Sequence, residues 1–127
     1  LSADGTQSYY VGAINMIGSA LNYLNEGNYE NAARVTKSAS SGLVKALYNS
    51  PQLPDIWAVH LTAESILALN EVEKAGNANK LDEAREWTLV ALSNIILAHD
   101  ICADAQFKQT LAGLKTVIET IYIELNQ

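Results

Sequence analysis

Apolar residues recur at steps of three and four through five successive stretches of this chain, a spacing that commits it to helices packed face to face. The last stretch shows this most simply. Phe107, Leu111, Leu114, Ile118, Ile121 and Leu125 fall on one side of a helix that follows Asp104. A first helix is predicted from about Ser8 to Glu26, with Tyr10, Ile14, Ile17, Leu21 and Leu24 on one face and Ala13 and Ala20 widening it. Gly27 suits the left-handed position after that helix, and Asn28 is placed to cap the next one, predicted over Tyr29 to Tyr48. The inward face of this second helix is Ala32, Val35, Ala39, Leu43 and Ala46, small enough for a neighbour to come close.

The break between Asn49 and Pro54 is the sharpest in the chain, because each of its two prolines drives the preceding residue out of helical geometry. A third helix is expected from a cap at Asp55 to about Ala75, with Ile56, Val59, Ala63, Ile66 and Leu67 inward. A fourth begins after Asn79, with Asp82 as a box-like capping partner, and runs to His99. No linker is long enough to divide the 127 residues, so the prediction is one all-α domain of five helices over 1–127.

Charge narrows the function. The formal net charge is −6, and the eight Lys and Arg residues are scattered between Arg34 and Lys115. A nucleic-acid binder needs those cations clustered against phosphates, and an acidic lipid surface needs the same, so neither partner is expected. No stretch approaches the roughly 18 apolar residues of a membrane span. A lone cysteine, Cys102, rules out an internal disulfide and fits a reducing compartment, which tilts the reading toward the cytoplasm. Leu1 in place of Met is what a processed or excised chain would show, and a removed signal peptide would leave no trace.

The stretch Tyr23-Leu24-Asn25-Glu26-Gly27-Asn28-Tyr29-Glu30-Asn31-Ala32, followed by Ala39, resembles the tetratricopeptide repeat, in which small and aromatic residues recur at fixed places of a helix-turn-helix. A second copy is Leu81-Asp82-Glu83-Ala84 with Ala91, preceded by Gly76. Ala32 and Ala84 lie 52 residues apart, against about 34 in that family, and the second copy lacks the tyrosines. The resemblance implies two helical hairpins with a C-terminal capping helix and a groove lined by the first helix of each hairpin. An antiparallel bundle of the same five helices is the alternative.

Catalytic patterns are missing from the sequence. Cys102 sits between Asp100 and Asp104, whose charge raises a thiol pKa and opposes activation, and the serines at 38, 40 and 41 form no nucleophile elbow. The glycines are dispersed and make no phosphate-binding loop. The leading expectation is therefore a non-enzymatic, cofactor-free module that binds a peptide or partner helix, with Tyr9, Tyr10, Asn15, Asn22 and Trp57 as contacts. A second expectation is a metal-binding bundle. His60 and His99 lie at similar heights on either side of the turn near Ala78, with Glu64 one turn from His60, a ligand set suited to zinc or non-haem iron. A third is a structural subunit that forms homodimers through the last helix, whose Val117, Tyr122 and Ile123 lie off its main stripe.

Overall fold

The structure, a computed structural model, describes residues 6–127. Five helices run in order: α1 (Thr6–Asn25), α2 (Tyr29–Asn49), α3 (Ile56–Asn77), α4 (Leu81–Ile101) and α5 (Ala105–Leu125). No strand occurs among the described residues. Each helix packs chiefly on its neighbours in sequence, and α1 also touches α3, so the helices form a stack. The fold is all-α.

Two hairpins are closed by the same chemistry. At the end of α1, Gly27 takes φ +76 while the Asn28 amide donates to the Tyr23 carbonyl at 2.9 Å and the Gly27 amide to Leu24 at 3.0 Å. This left-handed closure satisfies carbonyls that the helix end would otherwise leave without partners. At the end of α3, Asn79 takes φ +59, Lys80 donates to Ala75 at 2.8 Å and Asn79 to Gly76 at 3.1 Å. Asparagine tolerates the left-handed region better than most side chains, which is why it can stand where the first hairpin uses glycine. Asn79 thus ends α3 and does not cap α4. The α4 cap position is Lys80, without a side-chain bond, and Asp82 instead pairs with Arg85 at 2.9 Å.

The 52-residue spacing seen in the sequence runs through the whole packed face. Ala32, Thr36, Ala39, Leu43 and Ala46 of α2 are buried, and so are Ala84, Thr88, Ala91, Ile95 and Ala98, each 52 positions later. Both threonines donate to the carbonyl four residues back at 2.7 Å, Thr36 to Ala32 and Thr88 to Ala84, so neither hydroxyl is stranded in the core. On the first helices Ala13, Ile17 and Ala20 correspond to buried Ser65, Leu69 and Val72.

Helix α3 is central. It buries residues around most of its circumference, from Ile56 to Ala75, where the sequence placed one face inward; the stripe left outward runs through Trp57, His60, Glu64, Leu67, Glu71 and Lys74, so Leu67 is not among its buried residues. Its Ser65 hydroxyl donates across to the α4 carbonyl of Ala91 at 2.8 Å, a contact that requires the alanine-lined approach of the two helices. One core cluster joins α1, α2 and α3 around Ile17, Leu43 and Ile66, and another joins α3, α4 and α5 around Leu69, Ile95 and Ile118.

Candidate functional site

Four cavities follow one another along α3, between α1 and α5, and share lining residues. The first, of about 400 Å³, lies among Tyr10, Ile14, Leu53, Pro54, Asp55, Val59, Asp104 and Phe107. Ile14, Val59 and Phe107 pass into the next, of about 170 Å³. Leu21 and Thr110 continue into a third of about 300 Å³, and Tyr29 and Leu69 lead to a fourth of about 280 Å³ beside Glu73 and Glu124. Together they make an apolar trench with α3 as its floor and α1 and α5 as its walls.

The walls are lowered by glycine. Gly18 lines the trench from α1 and Gly113 from α5, and a Cβ at either would meet no atom within 4 Å. Both sit in helical backbone, where glycine costs stability relative to alanine. Gly18→Ala and Gly113→Ala are each expected to raise the unfolding free energy by about 0.5–1 kcal/mol, read from urea titrations. A fall in stability at either position would show that space to be needed by the fold itself.

One end of the trench is built by three connections. The Tyr10 hydroxyl donates to the Pro54 carbonyl at 2.7 Å. Asp55 holds the cap position of α3, as the sequence suggested, but its side chain makes no capping bond; it stands at φ +62 and turns its carboxylate to the α4–α5 connection. There it accepts from the amides of Ala103 at 2.6 Å and Asp104 at 2.9 Å. Asp104 in turn caps α5, accepting from the Phe107 amide at 2.7 Å. At the far end Arg85 donates to the Leu125 carbonyl at 2.7 Å, a cation placed against the negative end of α5.

Cys102 is buried beneath this corner with its thiol directed to the Asp104 carbonyl at 3.5 Å. Burial pushes its pKa up, and the Asp55 charge adds to that. Burial also raises Tyr10, helped by Asp55, and raises Tyr29, helped by Glu73 and Glu124. In the unfolded chain these groups ionise at ordinary values, near 8.5 for the thiol and near 10 for the phenols. The folded state keeps its protons longer, so the stabilisation is whole below those values and drains as pH climbs through them. The urea midpoint is expected to hold between pH 7 and 8 and to fall beyond pH 9. Tyr10→Phe should begin lower by about 1 kcal/mol for the lost bond and decline less steeply. Parallel declines in the two proteins would exclude Tyr10 as a source.

Of the residues predicted as contacts, Tyr10 lines the trench. Tyr9 belongs to a separate hollow of about 220 Å³ between α1 and α2, with Lys45 stacked over its ring at 5.1 Å. Asn15 and Asn22 are exposed on α1 away from the four cavities. Trp57 is 48% exposed and meets the His60 ring edge on at 6.2 Å, outside the trench. The structure does not assemble His60, Glu64 and His99, since no group of three or more His, Cys, Asp or Glu among the described residues is placed to hold a metal. The Nδ1 of His60 is buried without a hydrogen-bond partner, and His99 lies 4.0 Å from Asp100. What the sequence reading missed is the third wall, and the signal was present. Phe107 opens the most regular stripe in the chain, yet a capping helix, a bundle member and a dimer surface are the roles its pattern suggests for α5, and none of them is the wall of a trench.

No helix among the described residues is long and apolar enough to cross a membrane. No protein-family model matches the chain, and neither the curated proteins nor the solved structures yield a match to it.

Proposed function

We propose that this protein is a non-enzymatic interaction module that receives a segment of a partner protein in the trench between α1 and α5. The observation that carries the reading is continuity: four hollows with shared walls make one long apolar surface across three helices. Such a surface is costly to leave in water and is the usual form of a helix-binding groove. The 52-residue recurrence of packed positions supports a tetratricopeptide-like stack, with longer helices accounting for a period beyond about 34. In that arrangement the first helices of successive hairpins, with the capping helix after them, face a common concave side.

Gly113 supplies the test. Gly113 lines the trench and an added Cβ there meets no atom within 4 Å, so Gly113→Leu is expected to keep its helicity and to unfold no earlier than the native protein. Peptides selected from a display library against the native protein should lose at least about tenfold in affinity for this variant, the scale of one blocked apolar contact. A selection that enriches nothing, or enriches peptides that bind both proteins equally, rejects the reading.

Self-association through α5 is a second reading, favoured by Val117 and Ile123, which are 49% and 60% exposed. Ile123→Lys would then shift a dimer to a monomer in sedimentation equilibrium. A native protein that sediments as a monomer at high concentration removes this reading.

A further inference from the structure

We infer that the trench selects a cationic amphipathic helix, apolar along its middle and bearing Lys or Arg near both ends. The inference rests on the interaction reading above and adds the chemistry of the partner. Carboxylates stand at both ends of the trench, Asp55 and Asp104 at one and Glu73 and Glu124 at the other. Among the described residues no Lys or Arg lines any of its four cavities, and no charged side chain lines the middle two. The cations around the trench do not line it, and Lys74, next to Glu73, is paired with Glu71 at 3.4 Å. Arg85 is held by Asp82 and the Leu125 carbonyl, and Lys108 lies beside the Cys102 corner without lining the cavity. Glu73 of α3 and Glu124 of α5 line the same cavity at the far end, together with Tyr29.

The occupant's conformation follows from what the trench cannot offer. An extended peptide would need hydrogen-bond partners for every backbone group it buries. The middle of the trench is lined by few side-chain polar groups, the Asn25 amide and the hydroxyls of Tyr29 and Thr110. A helix satisfies its own backbone and can lie in such a surface. Its length follows from the walls. Tyr10 to Asn25 on α1 and Phe107 to Leu125 on α5 correspond to about 22 and 27 Å at 1.5 Å per residue, enough for a helix of about 15–18 residues.

The test uses two synthetic 16-residue peptides with leucines at helical spacing, one carrying two lysines at each end and the other two glutamates at each end. Fluorescence anisotropy of labelled peptides should show the lysine-ended peptide binding about tenfold more tightly at low salt, with the gap closing as salt is raised. Asp55 and Asp104 hold the corner together, so the protein variant is Glu73→Gln with Glu124→Gln, two solvent-facing changes that leave α3 and α5 their shape. This variant should narrow the preference to the part owed to Asp55 and Asp104, while binding the glutamate-ended peptide no worse, and an unchanged preference would overturn the role of the far end. Equal binding of both peptides to the native protein overturns the charge inference and leaves the groove reading standing. Failure of both peptides to bind overturns the groove reading itself. A trench closed by a second copy, seen as peptide binding that appears only on dilution, overturns the inference of a foreign cationic helix.

Discussion

Ile95→Ala is expected to lower the unfolding free energy by about 2–5 kcal/mol, the usual range for emptying a fully buried aliphatic site. Ile95 is wholly buried in the cluster shared by α3, α4 and α5. Its counterpart 52 positions earlier, Leu43, is equally buried in the cluster shared by α1, α2 and α3. Leu43→Ala should cost a similar amount, a large part of the roughly 5–15 kcal/mol that holds a typical domain together. The location of the damage should differ. In a stack whose members touch mainly their neighbours, a defect loosens its own hairpin most. Hydrogen exchange should therefore accelerate most in α1 and α2 for Leu43→Ala, and most in α3 and α4 for Ile95→Ala. Uniform acceleration along all five helices would show the stack to be one cooperative unit.

The second large effect is expected at Asp55. Its carboxylate holds two amides of the α4–α5 connection, and bonds to a charged acceptor are stronger than neutral ones. Because the corner is partly open to water, Asp55→Ala is expected to cost about 2–3 kcal/mol in a urea titration followed by circular dichroism. Asp55→Gly separates the two contributions at this residue. Glycine adopts positive φ without penalty, so it relieves the backbone at φ +62 while losing the same two bonds. The expected order of stability is native, then Asp55→Gly, then Asp55→Ala. Equal losses in the two variants would mean that the left-handed backbone carries no cost here, and a loss below about 0.5 kcal/mol in both would mean the two bonds are worth little.

Helix positions were legible in the sequence because their causes are local. Periodic apolar residues, Gly27 after α1, Asn28 before α2 and Asp104 before α5 act within a few residues of where they stand. Spacing also carried the repeat, since Ala32 and Ala84 occupy the same buried place in successive hairpins. The site was harder to see. Helix α3 is buried around most of its circumference, more than its one apolar face of Ile56, Val59, Ala63, Ile66 and Leu67 conveys, and Trp57 stands on its outward stripe, outside the groove. Asp55 read as a helix cap because capping is the local use of that residue type. Its actual partners lie 48 and 49 residues further on, a distance at which one sequence leaves no periodic trace. The wall supplied by α5 was missed for the same reason: which helix closes a trench depends on how the stack turns.

That separation of 48 residues also sets an order of events. A chain is made from its N-terminus, so Asp55 exists well before the amides it will hold. At about 5–20 residues per second, the wait for Ala103 is roughly two to ten seconds. Until then the left-handed backbone before α3 lacks the two donors that offset its cost, and the corner above Cys102 stays unlatched. The arrival of α5 locks that corner and raises the second wall of the trench in one step. A nascent chain halted before Ala103 would thus carry helices with an open side to α3, and the trench would take shape only with the last helix.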